Sequence, residues 1–162
     1  MEITTLVEKP SYSKDVAHMI YEEFVVGTSS KMTFSDVETF FKHTQFDSFP
    51  ITFIAIVDDI CVGTVSIFEN DYKERPHYTP WLASLYVKPE YREQKIGAQL
   101  MMHLLAHVKE LGISEIYLKT ENASDYYTKR GWTLVESIHE PDVTIVDIFK
   151  FSNLLSPSKR IK

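Results

Sequence analysis

The stretch from Trp81 to Ala98 places the tightest constraint on how this chain can fold. Trp81 to Val87 is short, aromatic and β-branched, Pro89 forbids its continuation as a strand, and the residues after Arg92 take helical periodicity. The chain must therefore run strand, turn, helix. The turn carries the cations Lys88, Arg92 and Lys95, and Gly97 near the helix start lets a bulky ligand approach the backbone. The first-turn N–H groups of a helix have no intrahelical partner, so this turn offers a place for a phosphate.

The remaining residues surround that unit with a mixed set of elements. Ile3–Val7 reads as a first strand, and a helix beginning at Pro10-Ser11 carries Val16, Met19, Ile20 and Phe24 at helical spacing. Gly27 to Ser30 break it, and Thr33 or Ser35 can cap a second helix whose inner face is Phe34, Val37, Phe40 and Phe41. The region between these helices is a candidate substrate wall. Ile51–Val57 and Ile60–Phe68 flank Asp58-Asp59 as an antiparallel hairpin, and the polar, proline-broken stretch Glu69–Pro80 reads as a loop.

Beyond the central turn, Ile96, Leu100, Leu104, Val108 and Leu111 form one apolar stripe that Gly112 ends. Glu115–Thr120 is a further strand, parallel to Trp81–Val87 through a right-handed crossover. Trp132–Ser137 and Val143–Phe151, joined at Glu140-Pro141-Asp142, suggest another antiparallel pair. His103 and His107 stand four apart on the helix, but without a third ligand they read as a solvated face, and no metal is expected.

With 162 residues and 44% hydrophobic content the chain has the apolar mass for one domain, expected over residues 1–155, with a frayed polar tail over 156–162. A formal net charge of −6 argues against general nucleic-acid binding and favours a cationic substrate. No apolar run is long enough to cross a membrane. The single cysteine, Cys61, excludes an intrachain disulfide, and the first residues lack the layout of a secretory signal, so a cytoplasmic location is expected.

Two segments resemble a known family. Leu85-Tyr-Val-x-Pro-x-Tyr-Arg-x-x-x-Ile-Gly-Ala98 is similar to the acetyl-CoA-binding segment of the GNAT superfamily of N-acetyltransferases, written Gln/Arg-x-x-Gly-x-Gly/Ala. Arg92 and Gly97 match, whereas Lys95 stands where the family usually has its first glycine. Asn122-Ala-Ser-Asp-Tyr-Tyr-Thr-Lys-Arg-Gly-Trp132 resembles the later segment of that family, in which a short helix stands over the cofactor. Counting back from Gly131, the matching tyrosine is Tyr127, and Tyr126 takes the packing position. Together the two segments span about residues 81 to 137.

The resemblance implies a single-domain α/β (α+β) fold with a central mixed, partly splayed sheet flanked by helices, and an enzyme moving an acetyl group from acetyl-CoA to a primary amine by direct attack. It assigns cofactor binding to Leu85, Tyr86, Val87, Arg92, Glu93, Gln94, Lys95, Ile96, Gly97, Ala98, Asn122 and Tyr127. Leu85 N–H would face the acetyl carbonyl, Val87 the pantetheine amides, and Tyr127 would be the general acid for the departing thiolate. The base is left open among Glu69, Asp71, His77 and water.

The implied acceptor is a small cationic amine or a peptide, expected between the two N-terminal helices and the Glu69–Pro80 loop; a homodimer is compatible with the resemblance. A catalytically idle acyl-CoA sensor on the same fold is the alternative. A dinucleotide binder fits less well, because the turn has one glycine and antiparallel hairpins precede it.

Overall fold

The computed structural model describes residues 1–142 and 144–152. Seven strands, β1 (Glu2–Thr5), β2 (Ile51–Val57), β3 (Ile60–Phe68), β4 (Trp81–Val87), β5 (Ile116–Thr120), β6 (Thr133–His139) and β7 (Ile145–Phe151), are joined with four α-helices. The helices are α1 (Ser13–Phe24), α2 (Phe34–Lys42), α3 (Ile96–Glu110) and α4 (Ser124–Lys129). The strands form one mixed sheet in the order β1-β2-β3-β4-β5-β7-β6.

The centre of the sheet is covered on both faces, which is why β2 and β3 read as nearly unbroken apolar runs. Side chains alternate along β2: Phe53 and Ala55 join Leu100, Leu104 and Val108 of α3 in one core, whereas Ile54 and Ile56 join Val16, Ala17 and Ile20 of α1 and Val37 and Phe41 of α2 in another. The sheet therefore lies between two helical layers. Gly63 sets the spacing on the α3 side, since a Cβ there would stand 3.1 Å from the Tyr86 carbonyl and 3.2 Å from Leu100. Asp58 and Asp59, both at positive φ, make the two-residue turn between β2 and β3.

Three expectations need correction. The first strand stops at Thr5, because Leu6–Glu8 close a 3-10 turn, with Lys9 N–H on the Leu6 carbonyl, that buries Leu6 beneath the N-terminal helices. Pro10–Tyr12 is likewise a 3-10 turn, and the α-helix proper starts at Ser13. Phe24 and Phe40 occupy helical core spacing yet remain 43% and 37% exposed, because each sits at the flank of the buried stripe and the next residue, Val25 or Phe41, is the one that enters the core. Thr33 is the cap of α2, through a reciprocal pair in which Asp36 N–H donates to Thr33 Oγ1 (3.1 Å) and Thr33 N–H to Asp36 Oδ2 (2.9 Å). The tail from Ser156 and the start of the expected strand at Val143 lie outside the described residues.

The sheet is deformed where the central turn begins. Ser84 and Leu85 of β4 stand opposite Val65 alone, and Ser84 adopts a φ of +56°, so β4 carries a bulge. Past it β4 leaves β5: the parallel pair has a single register match, Trp81 with Tyr117. This is the splay the resemblance implies. β7 inserts between β5 and β6 and runs antiparallel to both.

The 69–80 stretch is irregular but tied down. Arg75 donates from Nε and Nη2 to the two Glu136 oxygens at 2.9 and 3.0 Å, Tyr78 donates to Glu136, and Tyr72 donates to Glu140. It straps β3 and β4 to β6 and the turn that follows.

Candidate active site

Two cavities meet in the splay. The first, about 510 Å³, is lined by Leu85, Tyr86, Val87, Arg92, Glu93, Lys95, Ile96, Gly97 and Ala98 from the central turn, facing Glu23, Tyr126 and Arg130. Of the residues expected to hold the cofactor there, Gln94 alone lies outside this lining. The N-terminus of α3 has no side-chain cap, which leaves its first N–H groups to an outside acceptor. A Cβ added at Gly97 would meet only Val87 Cγ2, at 3.8 Å, so the chain's own packing does not demand a glycine.

Of the cations in the turn, Arg92 is held in place. Arg92 Nε donates to the Val87 carbonyl at 2.7 Å and its guanidinium lies 5.2 Å from the centre of the Tyr86 ring. The Val87 carbonyl is thus already engaged, and an acyl chain pairing with it would share it with Arg92. Lys95 sits at φ +65° and ψ 18°, a left-handed conformation that glycine adopts freely. The backbone path is kept although the glycine is not.

The second cavity, about 880 Å³, is lined by Leu82–Leu85 of β4, Leu118–Thr120 of β5 and the following Glu121, Asn122 and Ala123, with Tyr127, Glu23, Phe24, Asp71, Tyr72, Glu140, Asp142 and Thr144. Leu85 and Glu23 line both cavities, so Leu85 stands at their junction. Among the described residues, five carboxylates, Glu23, Asp71, Glu121, Glu140 and Asp142, line this space against one lysine, Lys119. Asp71 is half-buried and its Oδ2 lies 3.9 Å from Lys119 Nζ. Burial pushes its pKa up to about 6, with the lysine opposing the shift.

α4 brings Tyr127 to the same wall. Ala123 N–H donates to Thr120 Oγ1 (3.1 Å) at the helix start, and Ser124 Oγ donates to Asp147 of β7 (2.5 Å), fixing the helix to the sheet. Tyr127 packs against Trp132 and Phe149, and burial raises its phenol to about 12. Asn122 lines this cavity too. Tyr126, expected in a packing position, packs against the α3-side core and also lines the smaller cavity, with the Arg130 guanidinium 3.6 Å over its ring. The two tyrosines face the two cavities.

Among the three side chains left open as base, the structure separates the positions. Asp71 lies in the cavity that holds Leu85 and Tyr127, Glu69 lines a further cavity next to it, and His77 packs at a tilt against Tyr78, 4.5 Å between ring centres. Arg130 and Glu23 line the site without a motif that marks them in the sequence, where Glu140 reads only as part of a turn. His103 and His107 are engaged separately, with the Gln99 carbonyl (3.0 Å) and the Phe46 carbonyl (2.8 Å).

Comparison with known proteins agrees with this geometry. The chain is 26% identical over 153 residues to N-alpha-acetyltransferase 30 of Schizosaccharomyces pombe, covering 92% of this chain and 96% of that protein. In fold it is similar to an aminoglycoside 6'-N-acetyltransferase crystallised with coenzyme A, at a TM-score of 0.76 and 16% identity over 97% of this chain and 99% of the other. The aminoglycoside 6'-N-acetyltransferase of Enterococcus faecium superimposes with a TM-score of 0.73 at 16% identity, over 97% and 99% of the two chains. The model of the acetyltransferase (GNAT) family matches residues 15–132, and the chain belongs to that family, an acetyltransferase that takes its acetyl group from acetyl-CoA.

Proposed function

We propose that the protein transfers the acetyl group directly to a primary amine of a small cationic acceptor. The observation that carries this reading is the meeting of the two cavities at Leu85, one with an uncapped helix N-terminus and cations, the other lined by five carboxylates. The first suits a pyrophosphate, the second an ammonium.

Acetyl-CoA supplies an acetyl group already activated as a thioester. Asp71 takes the proton that an incoming ammonium must lose before its nitrogen can attack, and a carboxylate with a pKa of about 6 is ionised at neutral pH yet basic enough to accept it. Leu85 N–H meets the negative charge that grows on the acetyl oxygen. Tyr127 gives its phenolic proton to the departing sulfur, and Lys95, Gly97 and Ala98 hold the pyrophosphate. Peptide N-termini are the second reading, favoured by the relative named for α-amine acetylation.

Thiol release from acetyl-CoA, measured against spermidine, an aminoglycoside and a peptide with a free N-terminus, tests the proposal. Turnover is expected with the polycations. Turnover with the peptide alone would move the assignment to peptide N-termini. Acetyl-CoA binding without thiol release for any amine would return the idle sensor.

A further inference from the structure

We propose that the acceptor site is bipartite, with an apolar compartment beside the acidic one that takes an apolar arm carried by the reacting amine; this rests on the amine-acceptor reading above. A cavity of about 960 Å³ adjoins the acidic cavity, and the two share Asp71, Tyr72 and Lys119 as a common wall. The Lys119 ammonium is fixed in that wall by Asp71 at 3.9 Å and by the face of Tyr72 at 5.6 Å from the ring centre. The far side has a different character. Met32, Phe40, Phe49, Pro50 and Phe68 line it, and the carboxylates Glu69 and Glu74 stand with Lys73 and Asn70 around it.

Phe49 packs against the α3-side core and Phe40 meets the core residue Phe41 edge to face at 5.1 Å, yet part of this wall stays open. Met32 is 44% and Phe40 37% exposed, and Phe40 meets Phe68 edge to face at 5.3 Å, which builds an aromatic wall open to a ligand. The occupant is identified by continuity and by charge. An amine placed against Asp71 already lies on the shared wall, so what is attached to it extends into the apolar cavity. A second ammonium would find more carboxylates by staying in the first cavity, where five face one lysine. The compartment thus selects an amine with an alkyl or aromatic arm.

The test is a series of n-alkylamines from propyl to octyl, with phenylpropylamine and spermidine, assayed by thiol release with the full chain. kcat/KM should be flat for the shortest amines and then climb by about fourfold per methylene once the arm passes Asp71. Phe40→Ala should remove about tenfold from the longest amines and leave propylamine unchanged. Met32→Ser, at a more exposed position, should give a smaller loss of the same pattern, so that the test survives if Phe40→Ala folds poorly.

A flat series, or turnover confined to spermidine, overturns the bipartite site while amine acetylation stands. Failure of every amine overturns both. If the two variants instead change the sedimentation of the protein and leave amine selectivity alone, the apolar wall is a self-association face and the inference is wrong.

Discussion

Lys95 and Gly97 divide between them what two glycines would do in the proposed phosphate turn. Lys95 takes the left-handed conformation, a strain of about 1–2 kcal/mol for a residue with a side chain, and places a cation at the rim; Gly97 leaves the helix surface bare. Gly97→Val should therefore weaken acetyl-CoA binding by tenfold or more in a calorimetric titration, with thermal stability close to that of the parent, since the added side chain meets only Val87 within the chain. Unchanged affinity in the folded variant would remove the cradle.

In the proposed chemistry, Asp71 and Tyr127 are shifted by the same cause. Burial raises both, leaving the carboxylate a better base and the phenol a weaker acid that stays protonated at every working pH. kcat/KM should fall below pH about 6 as Asp71 takes a proton, and no alkaline limb from Tyr127 should appear until about pH 12. Asp71→Asn should abolish the acid limb along with most of the rate. It should not destabilise the fold at neutral pH: a carboxylate whose pKa is raised on folding contributes stability only below its unfolded value, lost as pH rises through about 6. Tyr127→Phe should lower kcat by about ten- to a thousandfold with acetyl-CoA affinity retained; equal rates under conditions where chemistry limits turnover would reduce Tyr127 to a packing residue.

Among the elements, the strap over residues 69–80 decides how firmly Asp71 and Tyr72 are held against the cavity. Its anchor is the Arg75 fork on Glu136, and that hydrogen bond, followed by the one from Tyr78, pulls the Glu136 carboxyl down to about 2. Because the depressed carboxylate stabilises the fold above its ordinary pKa and loses that contribution as pH falls through about 2, the strap should loosen only in strong acid. Arg75→Met should do the same at neutral pH: amide exchange across residues 70–79 should rise several-fold, while the global melting temperature moves little, the anchor being partly exposed. Exchange unchanged in that variant would place the hold on the loop elsewhere.

The elements also show where the sequence is readable. β2, β3 and β4 have the boundaries that their apolar runs, the paired aspartates and Pro89 announce, because a turn or a proline stops a strand whatever surrounds it. The insertion of β7 between β5 and β6 leaves no such mark, since the choice of pairing partner is made across the sheet. Phe24 and Phe40 fail for a related reason: helical spacing says which broad face a residue shares, but not how wide a stripe of that face is covered, and here Val25 and Phe41 take the covered places beside them. Asp71 was one carboxylate among several in a polar loop until the strap placed it.

For the molecule as a whole, the splay is an interrupted sheet, and its repair by a ligand should be measurable. β4 and β5 share one register match, so the backbone groups of Ser84–Val87 and Leu118–Thr120 toward the gap lack the strand partner that a continuous parallel pair would supply. The core under α1 and α2 lies away from the gap, and the core under α3 bridges it through Leu82, Ile116 and Leu118, so the protein can fold without the cofactor and still gain from it. Acetyl-CoA at a hundred times its dissociation constant should add about 2.7 kcal/mol to the folded state, which for a domain of this size is a rise of about 5–10 °C in melting temperature. The protection should be local as well as global. In hydrogen exchange with and without acetyl-CoA, the amides of 84–87 and 96–98 should slow most and those of β1, β2 and α2 should follow only the global gain. Uniform slowing across all strands, with no excess at β4 and the start of α3, would mean that the ligand stabilises the fold from outside the splay and that the two cavities do not meet on the cofactor at Leu85.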